Sequence, residues 1–304
     1  MIFRRFFHQT SIVPFYASSN LNATSLLASL RKKTGYSISN CKKALEITGN
    51  DLAKAESWLD SQAQEQGWLK AAKLQNRATN NGLVGVSFNN SKVAMVEVNC
   101  ETDFVARNEK FQALVAEAAR SCLISVPTGS STMLQVNYSS EQLGDVPFNN
   151  GSDTSKLSDL VALNIGQIGE NMSLCRGAAL QCPSNLNIKL ACSSHPAQSH
   201  GEVLLGKYGA VLAYEEVPAE NESGEELPEG VTLEKLPKQL CQHIIGMNPK
   251  TVERIGENAP KSEEESALLL QEFVINPEYT VGEILSIAGL KVHGFLRFEC
   301  GEQR

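Results

Sequence analysis

Cysteine and histidine are the residues of this sequence whose side chains could serve as nucleophiles, bases or metal ligands. The chain has eight cysteines and five histidines. It contains neither a C-x-x-C pair nor an H-E-x-x-H motif, so the usual spacings of zinc sites are missing. Cys192, His195 and His200 come nearest to a ligand set, but their spacing matches no standard metal motif. The sequence therefore disfavours a metal site.

Cys100 is a candidate nucleophile because it ends an apolar run just before a turn. Its neighbour in the sequence is Glu101, and a carboxylate close to a thiol raises the thiol pKa and lowers its reactivity. No glycine-rich phosphate loop follows a predicted strand, and no serine–histidine–aspartate order can be argued from spacing. The residues favour a protein that works by binding. An enzyme that uses Cys100 or His243 is the alternative.

The composition is that of an ordinary globular protein of about two domains. Of 304 residues, 42% are hydrophobic and 20% are charged, and the net charge is −7. A protein that neutralises many phosphates usually carries an excess of lysine and arginine, so nucleic acid is disfavoured as the main partner. No segment approaches the roughly 18 apolar residues that a membrane span needs. The sparse cysteines predict reduced core thiols rather than disulfides.

The first twenty residues differ from the rest of the chain. The segment MIFRRFFHQTSIVPFYASSN contains Arg4 and Arg5, several serines and no acidic residue. This pattern is typical of a mitochondrial transit peptide, and the charges interrupt the apolar run that a secretory signal would need. A disordered tail is the alternative. We predict a transit peptide over residues 1–20 and a location in the mitochondrial matrix.

Three short stretches of helical periodicity follow in residues 24–62. They are TSLLASLRKKTGY, SISNCKKALEITGN and NDLAKAESWLDSQ, and Gly35 and Gly49 are suited to end the first two helices. Helices of this length are marginal alone, so the three must pack as a small bundle. Residues 63–80 predict a separate, basic connecting helix.

Residues 81–194 predict a first α+β half. Alternating apolar residues indicate two strands with a hairpin turn at Asn89 and Asn90, and a helix capped by Asn108 follows. Residues 125–153 are rich in serine, threonine, glycine and asparagine, which predicts a long loop. A helix at TSKLSDLVALNIGQIGE and a strand at LNIKLACSS complete this half.

Residues 195–304 predict a second half of similar make-up. A hairpin is expected at EVLLGKYGAVLAYEE, and an acidic solvated loop near 219–230. Helices are expected at LEKLPKQLCQHIIGMNP, ESALLLQEFVI and TVGEILSIAGL, and KVHGFLRFECGE is expected to close the chain as a strand. The predicted fold class is therefore α+β, with a helical N-terminal domain before a core of two α+β subdomains.

The segment VEVNCETDFVARNEKF begins like a strand and ends like a helix. It places Asp103 and Phe104 at the junction, where a ring is close to water. A phenylalanine is usually buried, so the residues alone favour a core position under the corner. The alternative is a ring exposed for contact with a partner.

Several blocks resemble the elongation factor Ts family. LRKKTGYSISNCKKALEITGNDLAKAESWL is similar to the beginning of that family, and EVNCETDFVARNEKF is similar to its hallmark segment around Thr-Asp-Phe-Val. IGENMSL, HIIGMNP, TVGEIL and GFLRFECGE resemble further blocks in the same order. The resemblance covers about residues 24–302, and the predicted presequence points to the mitochondrial branch.

The resemblance implies guanine nucleotide exchange on mitochondrial elongation factor Tu, in its nucleotide-free or GDP form. It implies no covalent catalysis and no cofactor, because the nucleotide and Mg²⁺ belong to the partner. It also implies a 1:1 complex without direct contact to nucleic acid or membrane. Residues 24–62 would form a domain like the ubiquitin-associated domain. The helical hairpin of bacterial members would be absent or reduced, since the segment between HIIGMNP and TVGEIL is short.

The resemblance also implies which residues contact the partner. The ring of Phe104 would insert between helices of the GTP-binding domain and disturb its Mg²⁺ and phosphate site. The full implied set is Arg31, Ile38, Ser39, Lys42, Thr102, Asp103, Phe104, Val105 and His243. Two departures weaken it: the family often has methionine at Ile38 and Ser39, and HIIGMNP carries Ile245 and Gly246 in place of small alanines.

A ubiquitin-like or nascent-chain binding module is the second function considered. Three short helices of this type serve such roles, but they account for residues 24–62 alone. For the charged members of the first domain, a solvated helix face is the ordinary alternative. For His243, the ordinary alternative is a hydrogen-bonded ring within its helix.

Overall fold

The computed structural model describes most of the chain in two compact units, Met1–Gln66 and Gly67–Arg304. The predicted transit peptide lies almost wholly outside the described residues, as do Gly35 and the first part of the acidic loop. The described residues are 18–34, 36, 38–150, 153–183, 185–218, 226–254 and 265–302.

Helices and strands are mixed along the described chain, as the predicted α+β class requires. In chain order the helices α1 to α9 are Ser18–Thr34, Ile38–Ile47, Leu52–Leu74, Asp103–Ala106, Glu109–Ser125, Ser140–Gly144, Leu157–Ile168, Leu236–Met247 and Val281–Ala288. The strands β1 to β13 are Asn81–Phe88, Lys92–Cys100, Leu134–Ser139, Pro147–Asn150, Asp153–Lys156, Met172–Gln181, Ile188–His195, Gln198–His200, Val203–Gly206, Tyr208–Glu216, Glu272–Phe273, Asn276–Thr280 and Leu290–Glu299.

The first unit contains α1, α2 and most of α3, so the predicted helical N-terminal domain is confirmed. Leu30 of α1, Cys41 of α2 and Leu59 of α3 are buried, while Tyr36 donates a hydrogen bond to Asp60 at 3.1 Å. These contacts supply the stability that each helix lacks alone.

The predicted break between the third helix and a connecting helix is wrong, because α3 is continuous and crosses the boundary between the units. No proline stops it. Gly67 lies inside α3, where an added Cβ would come within 2.0 Å of the carbonyl oxygen of Ala162 in α7. Lys70 donates to the carbonyl of Gly166 at 3.0 Å. Glycine here permits close packing of two helices, which outweighs its low helix propensity.

Two antiparallel sheets stack in the second unit. A six-stranded sheet has the order β3-β6-β2-β1-β9-β8, and a three-stranded sheet has the order β13-β10-β7. On β2, Val96 and Val98 face the helix side with α5 and α7, whereas Met95 faces the second sheet beside Val211 and Phe298. Both faces of β2 are therefore covered, and all of its residues are buried.

The second sheet is covered on its other face by α8 and α9. Leu212 of β10 joins Leu240 and Ile244 of α8 and Ile284 of α9 in this layer of the core. These two sheets are thus layered as helix, sheet, sheet and helix, an arrangement that covers both faces of each sheet.

The predicted division of the core at 194/195 does not separate the two sheets. The strand β7, assigned by sequence to the first half, pairs with β10 in the second sheet. The predicted hairpin of β9 and β10 is also wrong, because β9 pairs with β1 in the first sheet. Val203 and Leu205 of β9 are buried in the helix-side core, so this burial decides its sheet.

Two local predictions also fail. Residues 125–153 are not a single loop but contain β3, α6 and β4. The strand β3 is an edge strand whose exposed face is polar, which disguises it as a loop. ESALLLQEFVI is not a helix: only Leu268–Leu270 form a 3₁₀ turn, because Ala267 bridges Thr251 and holds the segment extended.

A buried ion pair fastens the C-terminal segment to the first sheet. Arg176 Nε of β6 lies 2.6 Å from Glu97 Oε2 of β2, and the two side chains are 11% and 4% exposed. Arg176 also donates to the carbonyl of Glu299 at 2.8 Å and stacks 4.3 Å from the ring centroid of Phe298. The other oxygen of Glu97 accepts the N–H of Gly301 at 2.8 Å. Both carboxylate oxygens of Glu97, and Nε and Nη2 of Arg176, therefore have partners, as burial requires.

We expect Arg176→Met to lower the free energy of unfolding by about 3–5 kcal/mol, because it leaves Glu97 as a buried, unpaired carboxylate. Urea unfolding measures the change. Lys189→Met is the matched control, since Lys189 and Glu216 form a largely exposed pair at 2.5 Å. Equal losses in the two variants would contradict the assignment.

Candidate functional site

A tight corner joins the central strand β2 to helix α5. The short helix α4 occupies it, and Thr102 caps α4 by accepting the N–H of Val105 at 3.4 Å. Asn108 then caps α5 by accepting the N–H of Lys110 at 2.9 Å, as the sequence predicted. Two caps within a few residues fix the corner.

Phe104 projects from this corner with 78% of its surface exposed. The next two residues, Val105 and Ala106, are buried in the helix-side core. Successive residues of a helix point about 100° apart, so burial of these two turns the ring outwards. The expectation of a buried ring is wrong, and the exposure implied by the family resemblance is found.

Charges flank the ring. Arg107 Nη2 lies 2.8 Å from Asp103 Oδ2, one turn apart on the corner. Both side chains are substantially exposed, so the pair adds little stability. The corner therefore presents an exposed apolar ring beside a charged pair.

Four residues lie behind the corner, and the sequence did not predict a role there for any of them. They are Arg77, Glu101, Glu170 and Asn171. The hydroxyl of Thr102 donates to the Glu170 carboxylate at 2.9 Å, and the N–H of Asn171 donates to Glu101 Oε1 at 2.7 Å. Glu101 lies in the EVNCETDFVARNEKF block, and Glu170 and Asn171 lie in the IGENMSL block, but neither block by itself indicates that these side chains meet.

Cys100 lies directly under the corner and is unsuited to be a nucleophile. Its thiol is buried and donates to the carbonyl oxygen of Thr102 at 3.2 Å. Burial, and then the charge of Glu170, raise the pKa of the Cys100 thiol to about 12. The thiolate that a nucleophile requires is therefore very scarce at neutral pH.

The comparisons with known proteins match this chain along most of its length. The family model described as "Elongation factor Ts, mitochondrial, N-terminal" matches residues 4–69, and "Elongation factor TS" matches residues 101–259. Relatives named "Elongation factor Ts, mitochondrial" are 42% identical in Aedes aegypti, covering 92% of this chain and 88% of the relative, and 40% identical in Homo sapiens, covering 95% and 87%. The relative from Xenopus laevis is 41% identical, covering 91% and 86%.

This chain belongs to the elongation factor Ts family. Its second matched region begins at Glu101 and so contains the corner with Phe104. The structure brings Thr102, Asp103 and Phe104 together on that corner. Val105 belongs to the same turn but faces the core, which makes it an anchor of the corner and not an exposed contact.

The residues implied by the elongation factor Ts resemblance in the first unit are on its surface. Arg31 is in the last turn of α1, and Ile38, Ser39 and Lys42 lie on the first turns of α2. All four are exposed, and more than half of the Ile38 surface is accessible.

His243 is fully buried in α8, so its ring cannot make the direct partner contact that the resemblance implied. The N–H of Val274 donates to Nδ1 at 3.3 Å, so Nε2 carries the proton and donates to Gln271 Oε1 at 3.0 Å. Gln271 in turn donates to the carbonyl oxygens of Met247 and Glu265. Both ring nitrogens of His243 therefore have hydrogen-bond partners. Burial lowers the His243 pKa.

The metal-ligand set considered from sequence finds no support in the geometry. Within the described ranges, no three His, Cys, Asp or Glu side chains are placed to hold a metal ion. Burial raises the pKa of Cys192 to about 12. Among the same residues, no helix is long and apolar enough to cross a membrane.

The lowered pKa of His243 predicts a stability that falls with acid. The unfolded chain binds the proton more readily, so the contribution of neutral His243 is complete above the ordinary histidine pKa of roughly 6.5 and is lost as the pH falls from there through the folded-state pKa. His243→Gln retains an acceptor and a donor without this titration. Urea unfolding between pH 7.5 and pH 5 is expected to show a smaller loss for His243→Gln; parallel losses would contradict the assignment.

Proposed function

We propose that this protein is the guanine nucleotide exchange factor of mitochondrial elongation factor Tu and promotes GDP release during translation elongation. The observation that carries the proposal is Phe104, a large apolar ring held 78% exposed on a doubly capped corner in a member of the elongation factor Ts family. Relatives named as mitochondrial and the acid-poor first twenty residues support the mitochondrial matrix.

The mechanism is a wedge. On the partner, Mg²⁺ bound to nucleotide phosphates demands near-ideal octahedral geometry. A ring inserted between packed helices forces them into a second arrangement, because packed cores respond by discrete repacking. Movement of these helices would displace ligands of Mg²⁺, so the partner would bind Mg²⁺ and the phosphates less tightly. This protein supplies the ring and needs no cofactor of its own.

The ring cannot supply the whole effect. Burying a phenylalanine is worth about 1.5–3 kcal/mol. Moving a two-state preference from 1:99 to 99:1 needs about 5.5 kcal/mol of differential binding. We assign the remainder to the exposed residues of the first unit and to the flanking pair. The contributing side chains would be Arg31, Ile38, Ser39, Lys42 and Asp103.

His243 has a different part in this proposal. Met247 and Val274, whose backbones are tied to His243 through its network, are 44% and 47% exposed, and Ile275 beside them is 41% exposed. The neutral ring holds this small apolar surface in shape. We therefore treat His243 as a positioning residue beneath a second contact with the partner.

Phe104→Ala tests the wedge. Fluorescent GDP release from mitochondrial elongation factor Tu, followed at saturating exchange factor, is expected to slow by at least about tenfold, because a tenfold rate corresponds to 1.4 kcal/mol and one buried ring exceeds that. Ile124→Ala is the matched control, since Ile124 is 79% exposed but lies in the last turn of α5. Unchanged stimulation by Phe104→Ala would remove the wedge.

GDP and this protein both bind to the partner, and each must change the affinity of the partner for the other by the same factor. If this protein lowers the affinity of the partner for GDP, then GDP lowers the affinity for this protein by the same factor. We expect a stable 1:1 complex with nucleotide-free partner on gel filtration, dispersed by excess GDP with Mg²⁺. Titrations that give equal affinities for loaded and empty partner would end the exchange proposal.

A further inference from the structure

The loop before β6 lies against the corner that carries Phe104. Strand β2 pairs with β6 so that Cys100 is opposite Met172. The residues that follow β2 therefore lie beside the residues that precede β6. This register places Thr102 near Glu170 although 68 positions separate them in the sequence.

Contacts between these two loops fix the corner from behind. The hydroxyl of Thr102 donates to both oxygens of Glu170, at 2.9 and 3.2 Å. The carboxylate of Glu101 accepts the N–H of Asn171 at 2.7 Å and pairs with Arg77 at 3.3 Å. The side chain of Asn171 donates to the carbonyl of Arg77 at 2.9 Å. We call Glu101, Glu170 and Asn171 the clamp.

The clamp acts on Phe104 through the Thr102 cap of α4 and not through contact with the ring. None of its hydrogen bonds reaches the ring, which is largely solvated. The hydroxyl of Thr102 is shared: it donates to Glu170 and accepts the N–H of Val105. Glu170 thereby orients the cap of the helix that carries the ring. Asn171 is buried, so its hydrogen bonds are shielded from water.

We propose that Glu170 and Asn171 are positioning residues that hold the Phe104 corner in its binding conformation before the partner arrives. The inference rests on the proposed function and adds that the ring and the clamp have different roles. Ordering backbone residues costs conformational entropy, and a pre-ordered corner does not bear that cost on binding. The ring acts on the partner, and the clamp raises the fraction of molecules that are competent to bind.

These two roles predict different kinetic effects for loss of the clamp and for loss of the ring. When only a fraction of the molecules is competent, the apparent dissociation constant rises by the inverse of that fraction, while the bound state is unchanged. Loss of the clamp therefore raises the concentration needed for half-maximal GDP release and spares the maximal rate. Loss of the Phe104 ring lowers the maximal rate itself.

The experiment is a double-mutant cycle in the full chain. Glu170→Ala is expected to weaken binding to nucleotide-free partner about tenfold, as loss of a hydrogen bond to a charged group would. Glu170→Gln, which keeps an oxygen for the Thr102 hydroxyl, is expected to stay within about twofold of wild type. In a Phe104→Ala background, Glu170→Ala is expected to add no more than about twofold, because residues that act through one group are not additive.

A second pair of variants protects the test against misfolding. Thr102→Val removes the shared hydroxyl at nearly constant volume, and Thr102→Ser retains it. Amide hydrogen exchange of residues 101–107 is expected to accelerate in Thr102→Val and Glu170→Ala but not in the two conservative variants. Thermal unfolding reports whether each variant is folded.

The outcomes are distinguishable. If Phe104→Ala slows release but Glu170→Ala and Thr102→Val bind like wild type, the clamp is refuted and the wedge stands. If Glu170→Ala weakens binding equally with and without the ring, Glu170 touches the partner directly and the positioning role is refuted. If Phe104→Ala has no effect, the wedge fails and there is no ring for the clamp to position.

Discussion

The ladder between β2 and β6 is the interaction on which the rest of this protein depends. One end of it sets Glu170 and Asn171 behind the Phe104 corner. Near its middle, the buried pair of Glu97 and Arg176 fastens the C-terminal segment. Both features use charges or polar groups that are costly to bury unless every partner is in place. A shift of register along this ladder would undo both.

The corner departs from the general rule that large apolar side chains are buried. Exposing Phe104 forgoes about 1.5–3 kcal/mol that its burial would contribute. The protein tolerates this because Val105 and Ala106 anchor the same turn in the core and two caps hold its ends. Local violations of folding rules are expected at functional sites, where the surrounding structure compensates. The exposure of Phe104 therefore points to a functional role, because the core anchors and the two caps fix the turn that carries it.

Sequence reasoning succeeded where the signal is local. Helical periodicity predicted α5, α7, α8 and α9, and the residue type of Asn108 predicted its cap. Both signals are local because a helix makes its hydrogen bonds within one segment. It failed for β9 and for the segment around Leu268. A strand obtains its hydrogen bonds from another part of the chain, so its partner and even its sheet depend on distant residues. The same reason hid β3, whose polar face is exposed at a sheet edge.

The sequence by itself determined the fold class, the order of most elements, and the family, through short blocks whose residues are read without knowing their neighbours. Only the tertiary structure decided which side chains reach solvent. Phe104 is exposed, whereas Val105 and His243 are buried, although the resemblance grouped all three as partner contacts. Burial depends on what distant segments cover, and the two stacked sheets with their helices bring those segments together. The sequence did not reveal the clamp for the same reason. Its residues are far apart in the chain, and they come into contact only because β2 pairs with β6.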